Sequence, residues 1–202
     1  PGPEVKPVEV EHLIESIFDL RAPSFLVLSG SLLPGMPDDL YPRIVRRARE
    51  DGVAVAVDAD KELEGALEAG AAVIKPNAYE LGRLVGRTIE GPHDARDAAE
   101  EARRRGARIV ACSLGAQGAL WVSDEGAWHA VPPDVVVDSP LGSGDALLAG
   151  LLVARAEGRP PAEALRLGVA CGTATAETPG TVLCYREDVE RIEPQVEVTP
   201  LD

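Results

Sequence analysis

The chain has 202 residues, 45% of them hydrophobic and only 3% aromatic, with 20 basic side chains against 34 acidic ones and a net charge of −14. That size suits one domain over residues 1–202, with a core built from Val, Leu, Ala and Ile. The acidic balance repels nucleic-acid phosphates and anionic lipid, so neither is an expected partner, and any phosphorylated ligand needs local help from helix N-termini, a placed cation or a metal.

No apolar run approaches the ~18 residues of a membrane span, and the N-terminal stretch does not read as a signal peptide, so a cytoplasmic setting is expected. Three cysteines, Cys112, Cys171 and Cys184, are odd in number and lack CxxC spacing, which reads as reduced core residues and not a disulfide frame or zinc site. The chain opens on Pro1 in the polar, proline-broken stretch "PGPEVKPVEVEH", as either a processed chain or part of a longer one would.

In chain order, "EVEHLIESIFDL" sets Leu13, Ile14, Ile17, Phe18 and Leu20 on one helical stripe. "SFLVLSGS" is a short buried strand. "MPDDLYPRIVRRAREDG" reads as a helix from about Pro37, closed by Gly52. "VAVAVDAD" is a second strand, "KELEGALEAG" a short helix, "AAVIKPN" a third strand and "AYELGRLVG" a helix. "DARDAAEEARRRG" is a helix with acids first and bases last, matching its dipole. "ARIVACSLG" is a fourth strand, and "GALWVSDEGAWHAVPP" a hairpin around Asp124–Gly126 at a sheet edge. "GDALLAGLLVARAEG" and "PAEALRLGVACGTATAET" are long apolar helices, and "REDVERI" is a last short one. Strands alternating with helices predict a mostly parallel sheet covered on both faces. Ligands then sit beyond the strands' carboxyl ends, which nominates Gly30–Gly35, Asp58, Lys75–Glu80 and Ser113–Gly118.

In "DSPLGSGDALLAG", Gly142, Ser143 and Gly144 lead directly into a helix. Free amides at such a start can hold an anion, and Asp145 beside them can accept a hydroxyl proton during phosphoryl transfer. A plain helix cap explains the same stretch. "KPNAYEL" offers a capping box between Asn77 and Glu80, or a carboxylate and amide that order water around Mg²⁺. "SLGAQGAL" and "SGSLLPG" are, by themselves, turns. No GxxxxGK[ST] occurs, Gly142 and Gly144 lack the third Rossmann glycine, and Ser143 and Ser31 miss the GxSxG pattern.

Taken as an ordered set, "LSGSLLPGMPDDLY", "VIKPNAYELGRLVG", "SLGAQGAL" and "SPLGSGDALLAG" resemble the ribokinase-like (PfkB) carbohydrate kinases, in the 1-phosphofructokinase and tagatose-6-phosphate kinase branch. The resemblance implies a three-layer αβα fold with a mostly parallel sheet and an antiparallel edge hairpin. It implies ATP as co-substrate, Mg²⁺, and a sugar phosphate as acceptor. Asp145 would be the base, and the amides of Gly142, Ser143 and Gly144 the anion hole. Ser113, Gly115, Gly118, Lys75 and Asn77 would serve ATP. Glu80, with Asn77, would hold the metal through water, and Ser31 would lie near the sugar's existing phosphate. The "CGTATAETPGT" stretch would bound the adenine pocket.

Two departures stand out. Ser139 occupies the place where several relatives carry a potassium-binding Asp, so no potassium site is expected. Nothing matches the family's N-terminal sugar-binding part or its β lid, so the chain resembles the C-terminal, nucleotide-binding and catalytic portion; a homodimer is conceivable only for the complete protein. Beside the kinase stand two alternatives: a nonenzymatic nucleotide-binding remnant, and a small α/β domain whose glycine turns are structural.

Overall fold

Four short apolar runs become four parallel strands, joined by segments that return over the sheet. In the computed structural model, which describes residues 2–19 and 23–201, these are β1 (Phe25–Ser29), β2 (Ala54–Asp58), β3 (Val73–Ile74) and β4 (Ile109–Ser113). The chain then turns antiparallel through β5 (Ala119–Ser123), β6 (Gly126–Val131) and β7 (Glu197–Pro200). The seven strands lie in chain order across one sheet. The hairpin expected around Asp124–Gly126 is β5–β6.

Alternation along the strands divides the core into two faces. Val55, Val57, Ile74, Val110, Cys112, Leu120 and Val122 point into a cluster covered by α2 (Leu40–Glu50), α3 (Leu63–Glu68), α4 (Ala78–Val85) and α5 (Pro92–Arg104). On the other face Ala111, Ala119, Trp121 and Ala130 meet α6 (Ser143–Ala156), α7 (Pro161–Ala176) and α8 (Arg186–Ile192). The result is the expected three-layer αβα arrangement. Among the described residues no helix is long and apolar enough to cross a membrane.

Three sequence expectations shift in detail. The helix expected from about Pro37 starts at Leu40. Pro42 lacks an N–H, so it fits the first turn and would break a helix begun three residues earlier. The third strand is only two residues long, because Pro76 removes the donor that the next ladder bond needs. On α1 (Pro7–Phe18), Val10 is buried and Ile14, Ile17 and Phe18 are partly covered, but Leu13 is 40% exposed; Leu20 lies outside the described residues. β7 was not anticipated from the sequence, since in a strand of four residues only Val198 is even partly covered.

The α6–α7 contact governs where the glycine-rich turn lands. A Cβ on Gly168 would sit 2.7 Å from Leu151 Cγ and 2.9 Å from the Leu147 carbonyl, so the helices meet backbone to side chain. Gly168→Val should therefore overpack this contact and cost about 1–3 kcal/mol. Thermal melts should show Tm lower by roughly 3–10 °C; an unchanged Tm would mean that this glycine does not set the helix spacing.

Candidate active site

Register brings the strand ends into one row. Ser29 pairs with Asp58 across β1 and β2. The Lys75 N–H donates to the Val57 carbonyl at 2.9 Å, the Ser113 N–H donates to the Pro76 carbonyl at 3.0 Å, and Asn77 bridges to Ser113. Pro76 interrupts the ladder only on its donor side; its carbonyl still carries the pairing onward.

The N-terminus of α6 lies over this row. Gly142 takes φ +79°, a left-handed conformation that favours glycine, and turns the chain into the helix. The Ser143 N–H reaches the Pro140 carbonyl at 3.3 Å, and the Ala146 N–H donates to the Gly142 carbonyl at 2.9 Å. One of the three amides assigned to the anion hole is thus already in a turn bond. Amides in this first turn lack intrahelical acceptors, so a helix start of this kind attracts negative charge. Ser143 Oγ is buried and, among the described residues, has no hydrogen-bond partner. A Cβ on Gly144 would lie 3.3 Å from Lys75 Nζ, so the ammonium sits directly against the glycine backbone.

Lys75 is 5% exposed and is the one buried cationic side chain among the described residues. Its Nζ is 3.1 Å from Asp58 Oδ2. Burial nevertheless raises the Asp58 carboxyl above its ordinary range; Lys75 opposes the shift, while Asp145 and Glu80 add to it. The Asp58 carboxylate therefore feels both Asp145 and Glu80, with Lys75 as its opposing charge. Asp145 itself is exposed, and the Ser29 hydroxyl donates to its Oδ1 over a long 3.5 Å. Behind Ser29, the Tyr41 hydroxyl donates towards the carbonyls of Ser29 and Gly30 at 3.0 and 3.1 Å.

Asn77 and Glu80 form the complete capping box: Asn77 Oδ1 accepts from the Glu80 N–H and Glu80 Oε2 accepts from the Asn77 N–H, both at 2.9 Å. Glu80 also lines a cleft of about 350 Å³ with Asp60, Lys61 and Arg83. Ser31 is exposed on the loop leaving β1, next to Leu32, whose N–H points to Glu62 Oε1 at 3.4 Å.

A cavity of about 440 Å³ joins the cradle to the "SLGAQGAL" turn. Ser113, Gly115 and Gly118 form one wall, Ser143 and Gly144 one end, and Gly172, Thr173 and Ala176 of α7 the floor. The remaining wall comes from Pro132, Val135 and Val137, which sequence reasoning passed over. The signal was available in "VPPDVVVDSP", an extended apolar stretch between a strand and the cradle. Asp58 was nominated by its strand end but not given a role.

A family model described as pfkB family carbohydrate kinase matches residues 3–188. The chain belongs to this family. Within it, a 1-phosphofructokinase of Haloferax volcanii is 40% identical over 198 residues, which are 98% of this chain and 64% of that protein. An ATP-dependent 6-phosphofructokinase isozyme 2 of Escherichia coli is 36% identical over 195 residues, 95% of this chain and 63% of that one. The crystal structure of the Escherichia coli phosphofructokinase-2 with substrates and products superposes with a TM-score of 0.91 at 35% identity, over 96% of this chain and 64% of the other. The chain thus spans less than two thirds of the length of these pfkB relatives. The likeness supports the ribokinase-like fold for the part described.

Lys75→Met would leave Asp58 as a partly buried carboxylate without its cation. Because the Asp58 side chain keeps 19% of its exposure, breaking the pair should cost no more than about 3 kcal/mol at neutral pH, the low end for a buried pair. Because the folded protein holds the Asp58 proton more tightly than the unfolded chain does, the charged form costs stability as pH rises from the unfolded to the folded pKa. Loss of Lys75 lifts the folded value further. The variant's deficit in urea unfolding should therefore be largest at neutral pH and shrink as pH falls into the carboxylate range, and Asp58→Asn in the Lys75→Met background should recover much of it. A pH-independent deficit would show that the ammonium packs there without balancing Asp58.

Proposed function

We propose that this chain is the nucleotide-binding and catalytic portion of an ATP-dependent kinase that transfers the γ-phosphoryl group to a hydroxyl of a ketohexose phosphate. The observation that carries this reading is the continuity of the 440 Å³ cavity with a helix-start cradle that has Lys75 against it and Asp145 at its edge. The activities for which the relatives are named, 1-phosphofructokinase and ATP-dependent 6-phosphofructokinase, supply the acceptor class.

In this reading the base of ATP lies in the apolar slot between Val135, Val137 and the α7 floor, and its phosphates run towards Gly144. The free first-turn amides, the unpartnered Ser143 Oγ and the Lys75 ammonium take up charge on the transferring phosphoryl group. Asp145 accepts the proton of the attacking hydroxyl, with Ser29 holding one carboxylate oxygen. Ser31 is proposed to meet the phosphate already on the sugar.

The residues present fit Mg²⁺. Asp58 and Glu80 supply hard oxygen donors beside the phosphate path, and Glu80 spends only one oxygen on the capping box. Among the described residues no three His, Cys, Asp or Glu side chains group closely enough to hold an ion alone. A small dication that keeps most of its waters and borrows phosphate oxygens suits such a sparse donor set. When bound, it would neutralise charge on the phosphates.

Asp145→Asn, in the protein that carries this chain, should leave MgATP affinity near that of the wild type and lower kcat by about two to four orders of magnitude. Retention of more than about a tenth of the wild-type kcat would show that Asp145 is not the base. Calorimetric titration with MgATP and a coupled ADP-release assay over several ketohexose phosphates measure the two quantities.

Glu80→Gln separates the metal from the cap, because glutamine can still accept the Asn77 N–H in a capping box. Thermal stability should hardly change, while the Mg²⁺ concentration for half-maximal rate should rise. An unaltered Mg²⁺ curve removes Glu80 from the metal's shell.

A further inference from the structure

Two thiols lie side by side where α7 hands over to the loop that follows it. Cys171 Sγ sits 2.9 Å from where a Cβ on Gly150 would be, so this side chain is wedged towards α6. One turn on, the Thr175 hydroxyl donates to the Cys171 carbonyl at 2.9 Å and accepts the Cys184 N–H at 3.2 Å. This two-bond ladder draws Cys184 back beside α7 at Cys171, and its sulfur is near enough to disfavour the Cys171 thiolate. Both side chains are free thiols of intermediate exposure. Cys112 is buried in the core on the opposite face of the sheet.

The segment that Cys184 anchors also touches the cradle. The Gly180 carbonyl accepts the Ser139 hydroxyl at 2.7 Å, which ties it to the turn just before Gly142. Leu183 Cδ2 lies 3.3 Å from where a Cβ on Gly142 would be. Drawing Cys184 closer to α7 therefore pulls on the residues that back the anion-binding turn.

We propose that Cys171 and Cys184 form a reversible intramolecular disulfide on meeting a low-molecular-weight disulfide, and that this bond weakens nucleotide binding by drawing the 180–185 segment off the cradle. The first part stands on the Thr175 ladder that brings the two cysteines together; the second rests on the nucleotide reading above. In the first exchange one protein thiolate attacks the small disulfide, forms a mixed disulfide and releases one small thiolate. The second protein thiolate then attacks the protein sulfur of that mixed disulfide and releases the other small thiolate. Two protein thiols are oxidised, one small disulfide is reduced to two small thiols, and the two protons end on those leaving groups. Burial, aided by the adjacent Cys184 sulfur, pushes the Cys171 thiol up to about 12. Cys171 is accordingly assigned the resolving step, and closure should quicken as pH rises.

The test uses oxidised glutathione on the 202-residue chain, read by intact mass, peptide mapping and MgATP titration. The expected product has lost two hydrogens, carries no glutathione, joins the Cys171 and Cys184 peptides and leaves Cys112 free. Cys171→Ala should instead stop at a glutathione adduct on Cys184, with a thermal melt to establish that it is folded. The linked protein should bind MgATP at least about threefold more weakly, and dithiothreitol should restore affinity by reducing the bond. Wild-type protein that keeps a glutathione adduct, or remains fully reduced at alkaline pH, overturns the disulfide. Linked protein with unchanged MgATP affinity overturns the coupling. Reduced protein that fails to bind MgATP counts against the nucleotide reading and leaves the mass result to decide the disulfide.

Discussion

The Lys75–Asp58 pair is the constraint around which the candidate site is organised. A chain with a net charge of −14 has to present local positive potential to any phosphate, and it does so with one buried ammonium pressed against the backbone of Gly144. A buried lysine needs a counter-charge, and Asp58 supplies it at 3.1 Å. That counter-charge is itself costly, because burial outweighs the pull of Lys75 and lifts the Asp58 carboxyl. The pair is thus held by the fold around it: parallel pairing places Asp58 at the end of β2 and Pro76 ends β3 beside Lys75.

Packing on the far face of the sheet decides whether the helix start meets that ammonium. The strands present Ala56, Ala111, Ala119 and Ala130 towards α6 and α7, whereas the opposite face presents Val, Ile and Leu. Small side chains let two apolar helices settle close to the sheet, and Gly150, Gly168 and Gly172 let them settle close to each other. Gly172 approaches the Ser143 carbonyl, so helix spacing and cradle position are one variable. Trp121 is the largest fully buried side chain on this face, and its indole N–H is satisfied by Ser123 Oγ at 3.0 Å.

Periodicity made most of this fold legible. The continuous apolar runs at Ala54–Asp58 and Ile109–Ser113 are strands because both faces of the sheet are covered there, while Phe25–Ser29 is an edge strand whose Val27 stays 46% exposed. β7 escaped because hydrogen bonding to β6 holds it more than burial does, and the start of α2 drifted because Pro42 constrains it from inside. At the site, the glycine-rich turns and strand ends were readable as candidates. The Asp58–Lys75 contact was not, since nothing in a sequence shows that residues 17 apart end adjacent strands in register. The wall formed by Pro132, Val135 and Val137 was hidden for a different reason: an extended segment has no period to detect, and its cavity exists only once α6 and α7 are in place.

The capping box of Asn77 and Glu80 shows why structural and chemical readings of one motif need not compete. Glu80 Oε2 closes the box, which fixes χ angles that a free surface glutamate would leave mobile, and the other oxygen is thereby held at the strand edge. A carboxylate ordered before any ligand arrives loses less entropy on binding than one that must be ordered by it. The same holds for Asp145, set in the first turn of a packed helix with Ser29 behind one of its oxygens. In the first case a cap aims the acid, and in the second a packed first turn with the Ser29 hydroxyl does. A helix start that looks merely well terminated in sequence is, in this fold, the part of the scaffold that holds charge at a chosen point.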